Sequence, residues 1–216
     1  RAYRPHPMLR AEASSLTEAA ALIRAAKRPV ILSGHGVIKA GATEGIRTLS
    51  ERVQIPVACT LLGLGGFPAS HPMNLGMMGM HGESWVNKAI QQADLLIACG
   101  MRFDDRVTGA LVTYAPRAKK IHIEIDPSEI NKNVAVDVAL IGDLGEVLEN
   151  LLPLLPAQDG SAWLRTINAM KGNASVRDIK NLPDDGHLYA AHVLHDLWRT
   201  TEGKAIVVTD VGQHQM

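Results

Sequence analysis

No stretch of this 216-residue chain holds about 18 consecutive apolar residues, so a membrane-spanning helix is excluded. No charge of one sign dominates: 22 basic and 22 acidic residues cancel, leaving no basic block for nucleic acid or a membrane surface. Cysteine is scarce. Cys59 and Cys99 both lie at the ends of apolar runs, which points to reduced, packed thiols of a cytosol-like compartment rather than a disulfide framework. No charged and apolar leader precedes Pro5, and a cytoplasmic location is expected. Tandem repeats and low-complexity tracts are also missing. What is present is a chain with 46% hydrophobic residues, long enough for one sizeable α/β domain and part of another.

A continuous apolar run closed by glycine predicts a buried parallel strand at 29–34, and 56–60, 94–100, 120–126 and 136–143 read as further strands. Helical periodicity predicts helices near 16–27, 41–54, 83–93 and 144–155, with Ser15 and Glu18 resembling a capping box for the first. Strands separated by helices imply right-handed crossovers and a Rossmann-like parallel sheet with helices on both faces. Residues 1–15 read as a linker, 16–156 as the central domain and 157–187 as a polar, weakly helical connector. Residues 188–216 read as the start of a second α/β domain, an amphipathic helix followed by a buried strand over 204–212. The chain opens on Arg1 and ends just after that strand, so an excerpt of a longer polypeptide is expected.

Two dense segments carry the chemistry: GMMGMHGE at 76–83 and GMRFDDRVTG at 100–109. The second directly follows a strand, where open parallel sheets bind ligands, and this favours ligand contact over a solvated ion-pair network for Arg102, Asp104, Asp105 and Arg106. The methionines of the first segment suit either an irregular gap in the core or a loop against a flat aromatic ligand, the latter being favoured. His81 lacks a second ligand at metal spacing. Gly34, His35 and Gly36 sit at a strand-to-helix turn, which is read equally as a cradle for a phosphate or ribityl chain and as a tight structural turn. Glu124 with Ile125, and Asp143, end later strands and offer acceptors to ribose or adenine, although capping is the stronger reading for Asp143. The remaining histidines, His122 among them, show no triad or metal spacing and are read as structural or exposed.

FDDRVTG, taken with GMMGMHG, HIEIDPSEI and the terminal VGQHQM, resembles the catalytic subunits of the acetolactate (acetohydroxyacid) synthase family over nearly the whole chain. The resemblance implies the central domain of a thiamine-diphosphate enzyme, binding FAD that has no net redox role. By matched motif, Gly34, His35, Gly36, Thr60, Leu61, Met78, Gly79, Met80, His81, Gly100, Met101, Arg102, Phe103, Asp104, Glu124, Ile125, Asp143 and Leu144 would line the flavin. Gln213 and His214 would approach thiamine diphosphate. Met80, His81, Asp105 and Arg106 would face the substrate channel, where herbicides of this family bind, with Arg106 receiving the carboxylate of a second 2-keto acid. His35 and Glu124 stand where relatives often carry glycine and aspartate.

The implied reaction joins pyruvate to pyruvate or 2-ketobutyrate in branched-chain amino acid synthesis, with thiamine diphosphate and Mg2+. The implied assembly is a homodimer or tetramer, with room for a small regulatory subunit. The activating glutamate and the magnesium motif are absent from this sequence, so the excerpt alone is expected to be inactive, with no catalytic residue and no metal ligand of its own. The competing readings are another thiamine enzyme (glyoxylate carboligase, a decarboxylase or an oxidase) and a non-catalytic FAD- or NAD-binding module.

Overall fold

The computed structural model describes residues 9–171, 186–210 and 212, in two compact units divided after Lys171. The first unit is built on six parallel strands: β1 (Pro29–Ser33), β2 (Val57–Cys59), β3 (Asn74–Met77), β4 (Leu95–Cys99), β5 (Lys119–Glu124) and β6 (Val138–Ile141). Their spatial order is β3-β2-β1-β4-β5-β6, the doubly wound arrangement expected from alternating strands and helices. Register fixes which side chains share a face. Ile31 aligns with Val57 and Ile97, Ile97 with Ile121, and Ile121 with Val138, so one face is a branched aliphatic row. Leu32, Ala58 and Ala98 line the other face, and His122 aligns with Ala98.

Helices α1 (Ala13–Ala25), α2 (His35–Lys39), α3 (Thr43–Val53) and α6 (Leu144–Leu151) pack against the aliphatic row through residues such as Ile23, Val37, Leu49 and Leu148. Helix α4 (Ser84–Gln92) covers the opposite face with Trp85, Val86, Ala89 and Ile90, and the four-residue α5 (Asp105–Thr108) follows β4. Each fully buried aliphatic side chain stabilises the unit by about 1.5–3 kcal/mol, which explains why strands buried on both faces read as unbroken apolar runs.

Several elements depart from the expectations. Helix α1 begins at Ala13 with Glu12 as N-cap, so Ser15 lies inside the helix and no capping box forms. The incoming chain is held earlier: the Leu9 carbonyl packs on Gly142, and Arg10 pairs with Glu146 at 3.0 Å. Strand β3, Asn-Leu-Gly-Met, has little β-propensity and exists through pairing with β2, with a register shift beside Val57 and Gly76 at φ +93°. Past Pro156, the segment read as a weakly helical connector contains helix α7 (Ser161–Lys171), which is part of the first unit. Its Trp163 and Ile167 are buried in the core of the α4 face, and the Trp163 indole N–H donates to the Pro29 carbonyl at 3.1 Å.

In the second unit, α8 (Ala190–Thr200) is the expected amphipathic helix, closed by Gly203 at φ +69°, whose N–H donates to the Trp198 carbonyl at 2.9 Å. Residues 204–210 are not a strand, and Ile206 and Val208 are exposed. A central parallel strand exists only when neighbouring strands pair with it, and none does among the described residues.

Trp163→Ala is expected to destabilise the chain by about 3–5 kcal/mol in urea unfolding. A loss under about 1 kcal/mol would show that α7 contributes no core.

Candidate functional site

In an open parallel sheet a crevice forms where adjacent strands send their connections to opposite sides. Here that point lies between β1, which leads to β2, and β4, which leads to β5. The chain is packed tightly there. A Cβ on Gly34 would collide with the Gly100 carbonyl, and one on Gly36 would lie 2.6 Å from the Gly100 Cα. A Cβ on Gly63, in the 3-10 turn Leu61–Gly63 after β2, would collide with the Ser33 carbonyl. The missing Cβ atoms make room for backbone. The Gly34 and Gly36 N–H groups donate to the Cys99 and Gly100 carbonyls at 3.0 and 2.9 Å, the tight structural turn that is one of the two readings of this segment. The exposed His35 reaches across, its Nδ1 3.1 Å from the Leu62 carbonyl oxygen. Thr60 joins the same edge: its N–H donates to the Ser33 carbonyl at 3.0 Å, and its hydroxyl accepts from the Gly63 N–H. Leu61 is left exposed.

The two motif segments meet. The Met80 N–H donates to the Arg106 carbonyl at 2.8 Å, and Gly79, at φ +95°, leaves room for that carbonyl, which would lie 2.5 Å from a Cβ. Asn87 on α4 braces Gly79 from both sides, accepting from its N–H at 2.9 Å and donating to its carbonyl at 2.8 Å. Met80 is 61% exposed, with the Arg106 Nη1 3.8 Å from its sulfur. His81, Asp105 and Arg106 are exposed beside it, whereas Met78 is buried. Met78 thus fills the core, as one reading of the methionines has it, while Met80 is left outside.

After β4 the chain runs without regular secondary structure, with Met101 and Phe103 buried and Arg102 exposed between them. Among the described residues, Arg102, Asp104, Asp105 and Arg106 form no ion pair with one another. Asp104 instead caps α5, accepting from the Val107 N–H at 3.2 Å. The Arg102 flanks are pinned: the fully buried His122 bonds the Met101 carbonyl through Nε2 at 2.8 Å, and Asn133 donates to the Phe103 carbonyl at 2.9 Å. Phe103 meets the His122 ring edge-on at 5.1 Å. Burial lowers the His122 pKa, against the opposing pull of the Met101 carbonyl and then Glu124, so the ring is neutral with its proton on Nε2.

At the far strands, the Glu124 carboxylate accepts from its own neighbours Ile125 and Asp126, at 2.9 and 3.3 Å, which occupies one of the oxygens expected to serve a ligand. Ile125 is exposed. Asp143 caps α6 by accepting from the Glu146 N–H at 3.2 Å, and Leu144 turns into the core. A cavity of about 220 Å³ opens beside Asp143, lined also by Arg10, Leu16 and Asn150. Both cysteines are free and buried, with desolvation pushing the thiol of Cys59 up to about 11 and that of Cys99 up to about 12. Gln213 and His214 lie outside the described residues. Among the described residues, no group of three or more His, Cys, Asp or Glu could hold a metal, and no helix is long and apolar enough to cross a membrane.

Sequence reasoning missed Gly63, Asn87 and Asn133. Gly63 was signalled by the glycines of LLGLGG just past a strand. The two asparagines carry no local signal, because each serves a backbone group distant in sequence.

Residues 16–151 match the central domain of thiamine pyrophosphate enzymes, and the chain belongs to that family. Among its relatives, it is 44% identical to the acetolactate synthase large subunit of Parasynechococcus marenigrum over 99% of this chain and 34% of that protein. It is also 44% identical to the probable acetolactate synthase large subunit of Methanocaldococcus jannaschii, over 93% of this chain and 35% of the relative. Identity to the acetolactate synthase isozyme 3 large subunit of Escherichia coli is 40%, over 89% of this chain and 34% of that protein. The chain thus spans about a third of the length of the relatives it matches.

Two substitutions separate backbone strain from crowding. Gly41→Ala, at φ +61° with nothing within 4 Å, is expected to cost about 1 kcal/mol in urea unfolding. Gly100→Ala, at φ +56° against the Gly36 Cα, is expected to cost at least about 2 kcal/mol more. Equal losses would show that the loops yield freely. A pH test follows from His122. Its folded pKa is below its unfolded value near 6.5, so the unfolded chain takes the proton first and stability falls as pH drops below about 6.5. Between pH 6.5 and 5.5 His122 accounts for at most about 1 kcal/mol, and His122→Gln should lose that share of the decline. An unchanged pH dependence in His122→Gln would contradict the neutral buried ring.

Proposed function

We propose that this chain is the central portion of an acetolactate synthase large subunit, a carboligase that, as a complete protein, condenses pyruvate with pyruvate or 2-ketobutyrate. The observation that carries this reading is the similarity to acetolactate synthase large subunits across nearly all of this chain. In this reading the carboxyl edge of the sheet holds FAD. The residues there suit such a ligand: an exposed guanidinium on Arg102 with no protein partner among the described residues, and exposed Leu61, Met80 and Ile125 on the segments that follow other strands of the sheet. A planar fork of N–H donors matches a diphosphate, and the apolar side chains match flat rings. FAD supplies no net redox chemistry in this reading, and thiamine diphosphate, held with Mg2+ by other parts of the complete protein, supplies the electron sink.

The residues of this chain then bind and orient. Arg102 holds an anionic group of the cofactor. Arg106, fixed by its own carbonyl to the Met80 N–H, presents its guanidinium beside the Met80 thioether and receives the carboxylate of the second 2-keto acid. Met80, His81 and Asp105 border the path by which that acid enters. The complete protein works as a homodimer or tetramer in the cytoplasm and accepts a small regulatory subunit.

Acetolactate formation from pyruvate by the complete polypeptide, with thiamine diphosphate and Mg2+, is expected to require FAD. Arg106→Ala is expected to raise KM for the second keto acid about ten- to a hundredfold, the weight of a hydrogen bond to a charged group. No acetolactate from a folded, flavin-loaded protein would reject the reading in favour of another thiamine enzyme.

A further inference from the structure

The run from Met101 to Asp104 has no regular secondary structure of its own and presents Arg102 outward between two buried side chains. A long, mobile guanidinium on such a stretch loses affinity through the entropy of ordering it, unless its backbone is already fixed. Here both flanking carbonyls are tied. The Met101 carbonyl takes the Nε2–H of His122, a side chain with no solvent exposure on β5, at 2.8 Å. The Phe103 carbonyl takes the Asn133 amide at 2.9 Å. Asn133 is itself delivered by a shaped loop: Asn131, at φ +58°, accepts the Val136 N–H at 2.8 Å. Phe103, packed edge-on against His122 and Tyr114, keeps the chain from rolling, and Asp104 holds the next turn through its cap on Val107.

We propose that His122 and Asn133 are positioning residues for Arg102, fixing the direction in which its side chain leaves the sheet edge toward the anionic part of the bound flavin nucleotide. This rests on the reading of Arg102 as an FAD contact. Neither residue touches the cofactor. His122 works from inside the sheet and Asn133 from the β5–β6 loop, and each acts through a peptide carbonyl next to Arg102.

The test is FAD affinity of the complete polypeptide, read from flavin fluorescence without reference to turnover. Arg102→Ala, Asn133→Ala and His122→Leu are each expected to raise Kd for FAD about tenfold. His122→Gln, which keeps an N–H near the Nε2 position, is expected to restore most of the His122→Leu loss. The decisive measurement is the double-mutant cycle: in an Arg102→Ala background, Asn133→Ala should change Kd less than twofold. The same tenfold loss in both backgrounds would mean general loosening and overturn the positioning role. Unaltered FAD affinity in Asn133→Ala, with the Arg102→Ala loss intact, would also overturn it while sparing the Arg102 contact. No loss from Arg102→Ala would remove the contact and the positioning role together. Should His122→Leu fail to fold, the Asn133 arm of the cycle decides alone.

Discussion

Where β1, β2 and β4 end, chain passes so close to chain that only hydrogen fits at Gly34, Gly36, Gly63 and Gly100. The hydrogen bonds from Gly34 and Gly36 to the Cys99 and Gly100 carbonyls lock the first and fourth strand exits together, and the Thr60 N–H ties the second to the Ser33 carbonyl. Everything at the carboxyl edge depends on that contact. It sets the path of the run that carries Arg102 and keeps the loops after β1 and β2 against the sheet. A protein interior tolerates little change in volume, so a single added methyl there must displace backbone rather than a flexible side chain.

Around that lock, acids and bases have different fates for one reason. A carboxylate near free amide N–H groups is satisfied locally, so Asp104 and Asp143 become helix caps and Glu124 folds back on Ile125 and Asp126. Among the described residues, the Arg102 and Arg106 side chains make no such bond to neighbouring backbone and stay outside, as does Asp105. Both arginines are exposed, and Arg106 lies beside the exposed Met80, its Nη1 3.8 Å from the sulfur.

The strands β1 and β4 were legible because burial on both faces demands unbroken apolar runs, and such runs are visible without any knowledge of partners. The site segments were legible for a related reason: dense glycine and charge just past a strand are costly in an ordinary loop. Their interior arrangement was not. Nothing local in the sequence distinguishes Met78, which is buried, from Met80, which is exposed, or marks Asn87 and Asn133 as clamps on distant backbone. Strand β3 was hidden because pairing with β2, not propensity, makes it a strand. Helix α7 was hidden because its polar residues outnumber the two side chains, Trp163 and Ile167, that anchor it.

The sequence by itself determined the layer architecture, the parallel sheet and the addresses of the residues that gather at its carboxyl edge, since these follow from periodicity and from the fixed hand of strand crossovers. The tertiary structure alone decided which of those residues face outward, which carboxylates become caps, and which glycines serve backbone packing. It also left residues 204–210 without a ladder among the described residues, although their composition reads as a strand. The reason is the same in each case. Hydrogen bonds and close packing are satisfied by whichever group lies nearest in space, and that neighbour is often far away along the chain.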